Sequence, residues 1–210
     1  MHIPDGYLSP LWVLLTYVVA IAYAYLTIKK IREGNLWAPQ NVSKATLLAA
    51  AIFVAQMLNW PLPGGTSLHF VGGALAYILL GPWLGFVAMS MVITTQCLVF
   101  HDGGITALGA NLLNMAIVDG WVGYLVYNAI KNKFKGNGEL IGAFLGAWFG
   151  ITLAGFVCGI EIGLSPLFPF GVEISVPVMT VWHFFLGIIE GLITMIAVKT
   201  ARESDFWNPI

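Results

Sequence analysis

Long apolar stretches dominate this chain, and they constrain its fold more than any other feature. A membrane-spanning helix needs about 20 predominantly apolar residues, and seven stretches are candidates to form such helices. Only 9% of the 210 residues are charged, against about 25% in soluble domains, so the chain lacks the polar side chains to cover a water-facing surface. The stretches are Leu8–Ile31, Lys44–Trp60, Leu68–Gly81, Trp83–Phe100, Thr106–Ile130, Leu140–Ile162 and Val176–Val198.

These stretches predict an all-α integral membrane protein, a bundle of about seven transmembrane helices with an error of one either way. The third stretch is short and ends at a sharp break, Gly81-Pro82, so the third and fourth helices can form a hairpin within the membrane. No soluble domain, long linker or internal repeat is evident. Residues 1–210 are therefore interpreted as a single transmembrane component.

The basic residues indicate which face of the bundle meets the cytoplasm. With seven helices, all nine Lys and Arg residues fall on one side. The positive-inside rule makes that side cytoplasmic, so we expect the N-terminus outside and the C-terminus inside the cell membrane of a prokaryote. They are Lys29, Lys30, Arg32 and Lys44 around the first link, Lys131, Lys133 and Lys135 in the fifth, and Lys199 and Arg202 after the last helix.

The histidines gather at the opposite, outer face of this map. Neutral imidazole is the commonest metal ligand in proteins, so an outward-facing pocket for a cation is expected. The net charge of −1 and the absence of a basic patch give no indication of nucleic acid as a partner. The four histidines are His2, His69, His101 and His183.

The opening dipeptide Met1-His2 can chelate one metal ion. The Met1 amine and the His2 amide nitrogen close a five-membered ring, and that amide and Nδ1 of His2 close a six-membered one. Because the amide must lose its proton, the metal must be strongly polarising; Ni(II) and Cu(II) lead the divalent series and accept a square plane of nitrogens. The fourth corner stays open. The alternative is that this terminus is merely disordered.

The residues that follow favour an ordered terminus. Pro4-Asp5-Gly6 is a turn signal that would fold the chain back, and Ser9-Pro10 has the pattern of an N-cap followed by the first helical residue. Residues 1–7 are therefore expected to form a metal-chelating segment.

The loop from Pro61 to His69 supplies the preferred fourth ligand. The loop is rich in Pro and Gly, lies on the outer side, and contains Thr66 and Ser67, either of which can cap a helix that begins near His69. An imidazole at that helix start would point toward the mouth of the bundle. Taken alone, His69 is better explained as an interfacial histidine bonded to a carbonyl; the Met1-His2 terminus on the same face makes it the preferred ligand.

Four further residues are pocket candidates, each with a simpler alternative. Asp102 can hold an imidazole through its ring N–H or cap the fifth helix. For His101, a role as a loop residue is preferred over a role in the pocket. Asn111 and Asn114 share one helix face, where they either line the pocket or bond between helices.

Two other functions fit parts of the pattern. A membrane zinc metalloenzyme would hold Zn(II) with three imidazoles and use an acid as base, although no HExxH motif occurs. An ion channel or proton carrier would depend on His183 and Glu190, which share a face of the last helix. The zinc ligands would be His69, His101 and His183, with Glu161 or Glu173 as the base.

Four runs of residues together resemble a known family. The opening MHIPDGYL, the loop Gly64–His69, the run Leu80–Trp83 and the run His101–Met115 are similar to the NikM/CbiM family. Its members are the substrate-binding membrane components of nickel and cobalt energy-coupling-factor (ECF) transporters. The resemblance covers nearly the whole chain, and the opening hexapeptide is highly specific.

The resemblance implies a fold, a site and partners. It implies a seven-helix component with the N-terminal segment in a central pocket, and square-planar coordination by the Met1 amine, the His2 amide and ring, and the His69 ring. It implies a transmembrane coupling (T) subunit and cytoplasmic ATPase subunits, since this chain has no Walker motif. Pro4-Asp5 and Gly64–His69 look like the nickel type, so Ni(II) is the expected substrate, Co(II) the alternative, and no organic cofactor is expected.

Overall fold

The structure is a computed structural model that describes residues 1–134, 136–204 and 207, and it is mostly helical. Lys135, one of the residues used above to orient the bundle, lies outside the described residues. The helices are α1 (Pro10–Glu33), α2 (Pro39–Gln56), α3 (Gly73–Thr95), α4 (Leu108–Asn111), α5 (Asp119–Ile130), α6 (Gly138–Gly163) and α7 (Val172–Arg202), with π-helical turns at Gln96–Phe100 after α3 and Leu112–Val118 between α4 and α5.

Four of these helical segments are long and apolar enough to cross a membrane: Pro10–Glu33, Gly73–Phe100, Gly138–Gly163 and Val172–Arg202. Their outward faces carry large apolar side chains, such as Ile21, 64% exposed, and Ile196, 60% exposed. The expectation of a helical membrane protein is confirmed in this form. The count of about seven spans and the orientation of the termini stay predictions.

The helix α3 is broken at Gly81, as the Gly81-Pro82 pair predicted. Gly81 has φ 73° and ψ 168°, outside the helical region. A Cβ atom on Gly85 would lie 3.0 Å from the backbone of Ala76, whereas a straight helix would separate these residues by about 13 Å. The two halves of α3 therefore fold back on each other.

Three expected helix boundaries were wrong around the loop between α2 and α3. The second helix begins at Pro39 instead of Lys44 and ends at Gln56 instead of Trp60. The chain then forms a two-stranded antiparallel hairpin, β1 (Trp60–Pro61) with β2 (Ser67–Leu68). The third helix begins at Gly73 instead of Leu68, because the strand and the residues that follow it carry the chain past the expected start.

The glycines Gly142, Gly146 and Gly150 of α6 pack closely against α5 inside the protein. A Cβ on Gly146 would lie 2.6 Å from the carbonyl oxygen of Gly123 in α5. Small residues allow this close approach of helix backbones in a membrane.

Candidate metal centre

The N-terminal segment is folded into one end of the bundle. Met1 and Ile3 are fully buried and His2 is 4% exposed. Asn111 of α4 holds the segment from both sides, accepting a hydrogen bond from the Ile3 amide (2.8 Å) and donating one to the Ile3 carbonyl (3.1 Å). The Gly104 amide also donates to the Ile3 carbonyl, at 2.9 Å. The expectation of an ordered terminus is confirmed.

The predicted turn at Pro4-Asp5-Gly6 is present and anchored. Gly6 has φ 85°, in the left-handed region that favours glycine. The Asp5 carboxylate accepts hydrogen bonds from the Thr106 amide (2.7 Å) and hydroxyl (2.5 Å), and the hydroxyl bond lowers the pKa of Asp5. The helix α1 then begins at Pro10, but Ser9 makes no side-chain capping bond.

The Met1 amine is buried against Ser67 of the hairpin. It donates to the Ser67 carbonyl and, at 2.6 Å, to the Ser67 hydroxyl, which also accepts from the His2 amide at 3.0 Å. Burial lowers the pKa of this amine to about 5, so it is neutral at neutral pH. A neutral amine that donates two hydrogens keeps its lone pair for another partner.

The ring of His2 presents an unprotonated nitrogen to the site. Its Nε2 lies 3.1 Å from Oε1 of Gln96, and because that oxygen can only accept, Nε2 carries the proton. Nδ1 then has a free lone pair and no hydrogen-bond partner. Burial, followed by the nearby Met1 amine, lowers the pKa of His2 to about 4, so the ring is neutral.

The ring of His69 is held in the complementary way. Its Nδ1 donates to the Phe70 carbonyl at 2.7 Å, which leaves Nε2 unprotonated, buried and without a hydrogen-bond partner. Burial lowers the pKa of His69 well below its ordinary value, and the nearby Met1 amine, His2 and His183 contribute to the shift.

The two imidazoles lie face to face, with ring centroids 4.5 Å apart and planes 21° apart. A metal binds an imidazole nitrogen in the plane of the ring at about 2 Å, so one ion is shared by these two rings only after at least one of them rotates. Four nitrogen atoms lie in this buried region: the Met1 amine, the His2 amide, Nδ1 of His2 and Nε2 of His69. This set has the chemistry of a nitrogen site for a divalent transition metal.

The remaining candidates divide into two groups. Asp102 lies beside the site, with Oδ1 3.4 Å from Nδ1 of His2, and Asn111 anchors the terminus. His101 is exposed and has φ 55°, so it is a loop residue. Asn114 donates a hydrogen bond to Glu161 of α6 at 2.6 Å, so it bonds between helices, the second of the two roles expected for it.

Two contacts of the site were missed by the sequence reasoning. Ser67 was considered only as a helix cap, and Gln96 was not considered at all. Gln96 is completely buried, and a polar residue within an apolar membrane segment is itself a signal of function.

The zinc alternative is not supported by the geometry. Among the described residues, no group of three or more His, Cys, Asp and Glu side chains is arranged to hold a metal ion. His69 is buried and His101 is exposed, so the three histidines do not form one site. Glu161, one of the two expected bases, lies within α6 and is buried.

Loss of the Asn111 anchor should weaken metal binding without removing a ligand. Replacing Asn111 with leucine leaves the buried Ile3 amide without its partner, which costs about 1–3 kcal/mol. Because this free energy destabilises the ordered conformation of the N-terminal segment, we expect metal affinity to decrease about 5- to 150-fold. Competition with a chelating indicator measures the change. Asn128→Leu, which removes only a bond to the Tyr124 carbonyl within α5, is the control; equal affinities in both variants would contradict the anchoring role.

The chain was compared with known proteins. Residues 2–205 match the model of the CbiM family, described as cobalt uptake substrate-specific transmembrane region. A putative fused nickel transport protein NikMN of Archaeoglobus fulgidus is 55% identical over 194 residues, 92% of this chain but only 63% of that protein. The cobalt transport protein CbiM of Clostridium tetani is 29% identical over 93% of this chain and 82% of its own length. A crystal structure of a truncated transition metal transporter superposes with a TM-score of 0.91 at 33% identity, covering 97% of this chain and 99% of the other.

Proposed function

Because this chain belongs to the CbiM family, we propose that it is the substrate-binding membrane component of an ECF transporter and that its substrate is Ni(II). Its relatives are named as metal transport proteins, so the chain is a transporter component rather than an enzyme. In this proposal it captures the ion outside the cell, and a transmembrane coupling subunit and cytoplasmic ATPases drive uptake.

The proposed ligands are the Met1 amine, the His2 amide nitrogen, Nδ1 of His2 and Nε2 of His69. One observation carries the proposal: Nδ1 of His2 and Nε2 of His69 are buried without a hydrogen-bond partner, while carbonyl oxygens accept hydrogen bonds from the other nitrogen of each ring. A buried polar atom without a partner costs about 1–3 kcal/mol. A cation bound by both nitrogens would remove that cost.

Binding in a square plane requires the His2 amide to lose the hydrogen that it donates to Ser67. A metal that polarises the nitrogen strongly makes this loss possible, and the Asp102 carboxylate places a negative charge near the ion. Affinity in such a site rises from Co(II) to Ni(II) to Cu(II). The 55% identical relative named for nickel, against 29% for the one named for cobalt, further supports Ni(II).

We propose seven membrane-crossing segments with the N-terminus outside, counting the two halves of α3 separately. A cavity of about 700 Å³ supports this topology, because it is lined together by Leu36, Gly81, Lys131 and Arg202. The link after α1, the break in α3, the link after α5 and the end of α7 therefore share one end of the bundle. The basic residues near these points make that end cytoplasmic.

Metal titration of the purified chain tests the proposed substrate. We expect one Ni(II) per chain, diamagnetic as planar nickel is, with an affinity above that for Co(II). Mg(II), which prefers oxygen ligands, should not compete and serves as the control. Tighter binding of Co(II), or a paramagnetic nickel complex, would contradict the assignment.

A further inference from the structure

The peptide group between Phe70 and Val71 connects the ring of His69 to a buried carboxylate. Its carbonyl oxygen accepts the hydrogen bond from Nδ1 of His69 at 2.7 Å. Its N–H, contributed by Val71, donates to Oε2 of Glu190 at 2.8 Å. A single planar peptide therefore lies between an acid on α7 and the imidazole.

Both oxygens of Glu190 accept hydrogen bonds from the backbone at Val71 and Gly72. Its Oε1 accepts from the Gly72 amide, also at 2.8 Å, and its side chain is completely buried. These amides lie at the N-terminal end of α3, where the helix dipole favours a negative charge. Two N–H donors, one to each oxygen, therefore satisfy both oxygens of this side chain.

The packing around Gly72 restricts the backbone of residues 70–72. Gly72 has φ 82°, and a Cβ at this position would lie 2.7 Å from the Phe70 ring. The segment that links His69 to α3 is therefore packed too tightly to turn the Phe70 carbonyl away without disturbing its surroundings.

We propose that Glu190 is a positioning residue for His69, which orients the imidazole and strengthens it as a metal donor through the intervening peptide. The proposal rests on the proposed function, since it assumes that Nε2 of His69 binds the ion. Metal-bound histidines are commonly held by a carboxylate or a carbonyl at the other ring nitrogen, which fixes the tautomer and raises ligand basicity. Here a carbonyl makes the contact, and a carboxylate polarises it from the far side of the same peptide, because linked hydrogen bonds strengthen one another.

Asp119 provides a matched control within the same helix end. It is also a completely buried acid, and its Oδ2 accepts from the Ala74 amide at 3.1 Å. That amide lies two residues beyond Gly72, and among the described residues its peptide group makes no hydrogen bond to His69. Loss of Asp119 therefore removes a bond to the start of α3 but none of the hydrogen bonds that connect Glu190 to His69.

The test compares Glu190→Gln with Asp119→Asn in the purified full-length chain, with Ni(II) as the probe. We expect E190Q to lower Ni(II) affinity about 10- to 100-fold, the usual effect of losing an outer partner of a metal ligand. Its nickel absorption band should move to longer wavelength, because a weaker donor lowers the ligand field. D119N should keep the wild-type band and nearly the wild-type affinity, even where its thermal stability decreases.

Nitrogen-15 NMR of the metal-free wild-type protein gives a test that needs no variant. We expect His69 to be protonated at Nδ1, with a strongly deshielded proton; protonation at Nε2 would overturn the proposal. An unchanged affinity and band in E190Q would overturn it as well. If His69→Ala itself bound Ni(II) like the wild type, the proposed function would fail first, so the two failures are distinguishable.

Discussion

Replacing His69 with alanine is expected to reduce Ni(II) affinity by more than about 100-fold, because losing only an outer partner of a ligand already costs 10- to 100-fold. The variant keeps the three nitrogens of Met1 and His2 but opens the fourth corner of the square plane. The side chain is completely buried, so no other ligand can enter from solvent without rearrangement. Competition between the protein and a chelating indicator measures the change.

The control for this substitution is His101→Asn. His101 is exposed and has φ 55°, a conformation that asparagine tolerates. We expect H101N to bind Ni(II) like the wild type. If H69A retained wild-type affinity, or if H101N lost as much affinity as H69A, the ligand assignment would be wrong.

Adding a leader of several residues ahead of Met1 should have an effect at least as large. The addition converts the amine into an amide, which removes one donor and breaks the five-membered chelate ring. The amine is also fully enclosed beside Ser67, so the extra residues would displace the segment that Asn111 holds. We expect no high-affinity binding of Ni(II), measured in the same competition assay.

A removable leader makes this experiment its own control. Proteolytic cleavage that regenerates Met1 as the first residue should restore binding in the same preparation. Full binding before cleavage would show that the amine is not a ligand. Failure to recover after complete cleavage, with the fold intact, would also contradict the proposed role.

Local sequence patterns were sufficient to predict an ordered N-terminus. The ordered conformation of Met1-His2 was predicted from the Pro4-Asp5-Gly6 turn, because these residue types restrict the backbone over a few positions. The break at Gly81-Pro82 followed for the same reason. Their roles as a ligand set with His69 stay predictions, although the structure brings these residues together.

Other parts of the site depend on contacts between distant helices, which one sequence does not contain. Gln96 sets the tautomer of His2 from a position 94 residues along the chain. Ser67 was expected to cap a helix, but it lies in a strand and contacts the terminus. The sequence placed Glu190 on one helix face with His183, but its hydrogen-bond partners are the backbone amides of Val71 and Gly72, which no side-chain pattern reveals.

Anomalous diffraction at the nickel absorption edge tests the central claim most directly. In crystals of the nickel-loaded protein, we expect one strong peak about 2 Å from each of four nitrogens: the Met1 amine, the His2 amide, Nδ1 of His2 and Nε2 of His69. The four nitrogens should lie in one plane with the ion. A peak elsewhere in the bundle, or a terminus withdrawn from His69, would contradict the account.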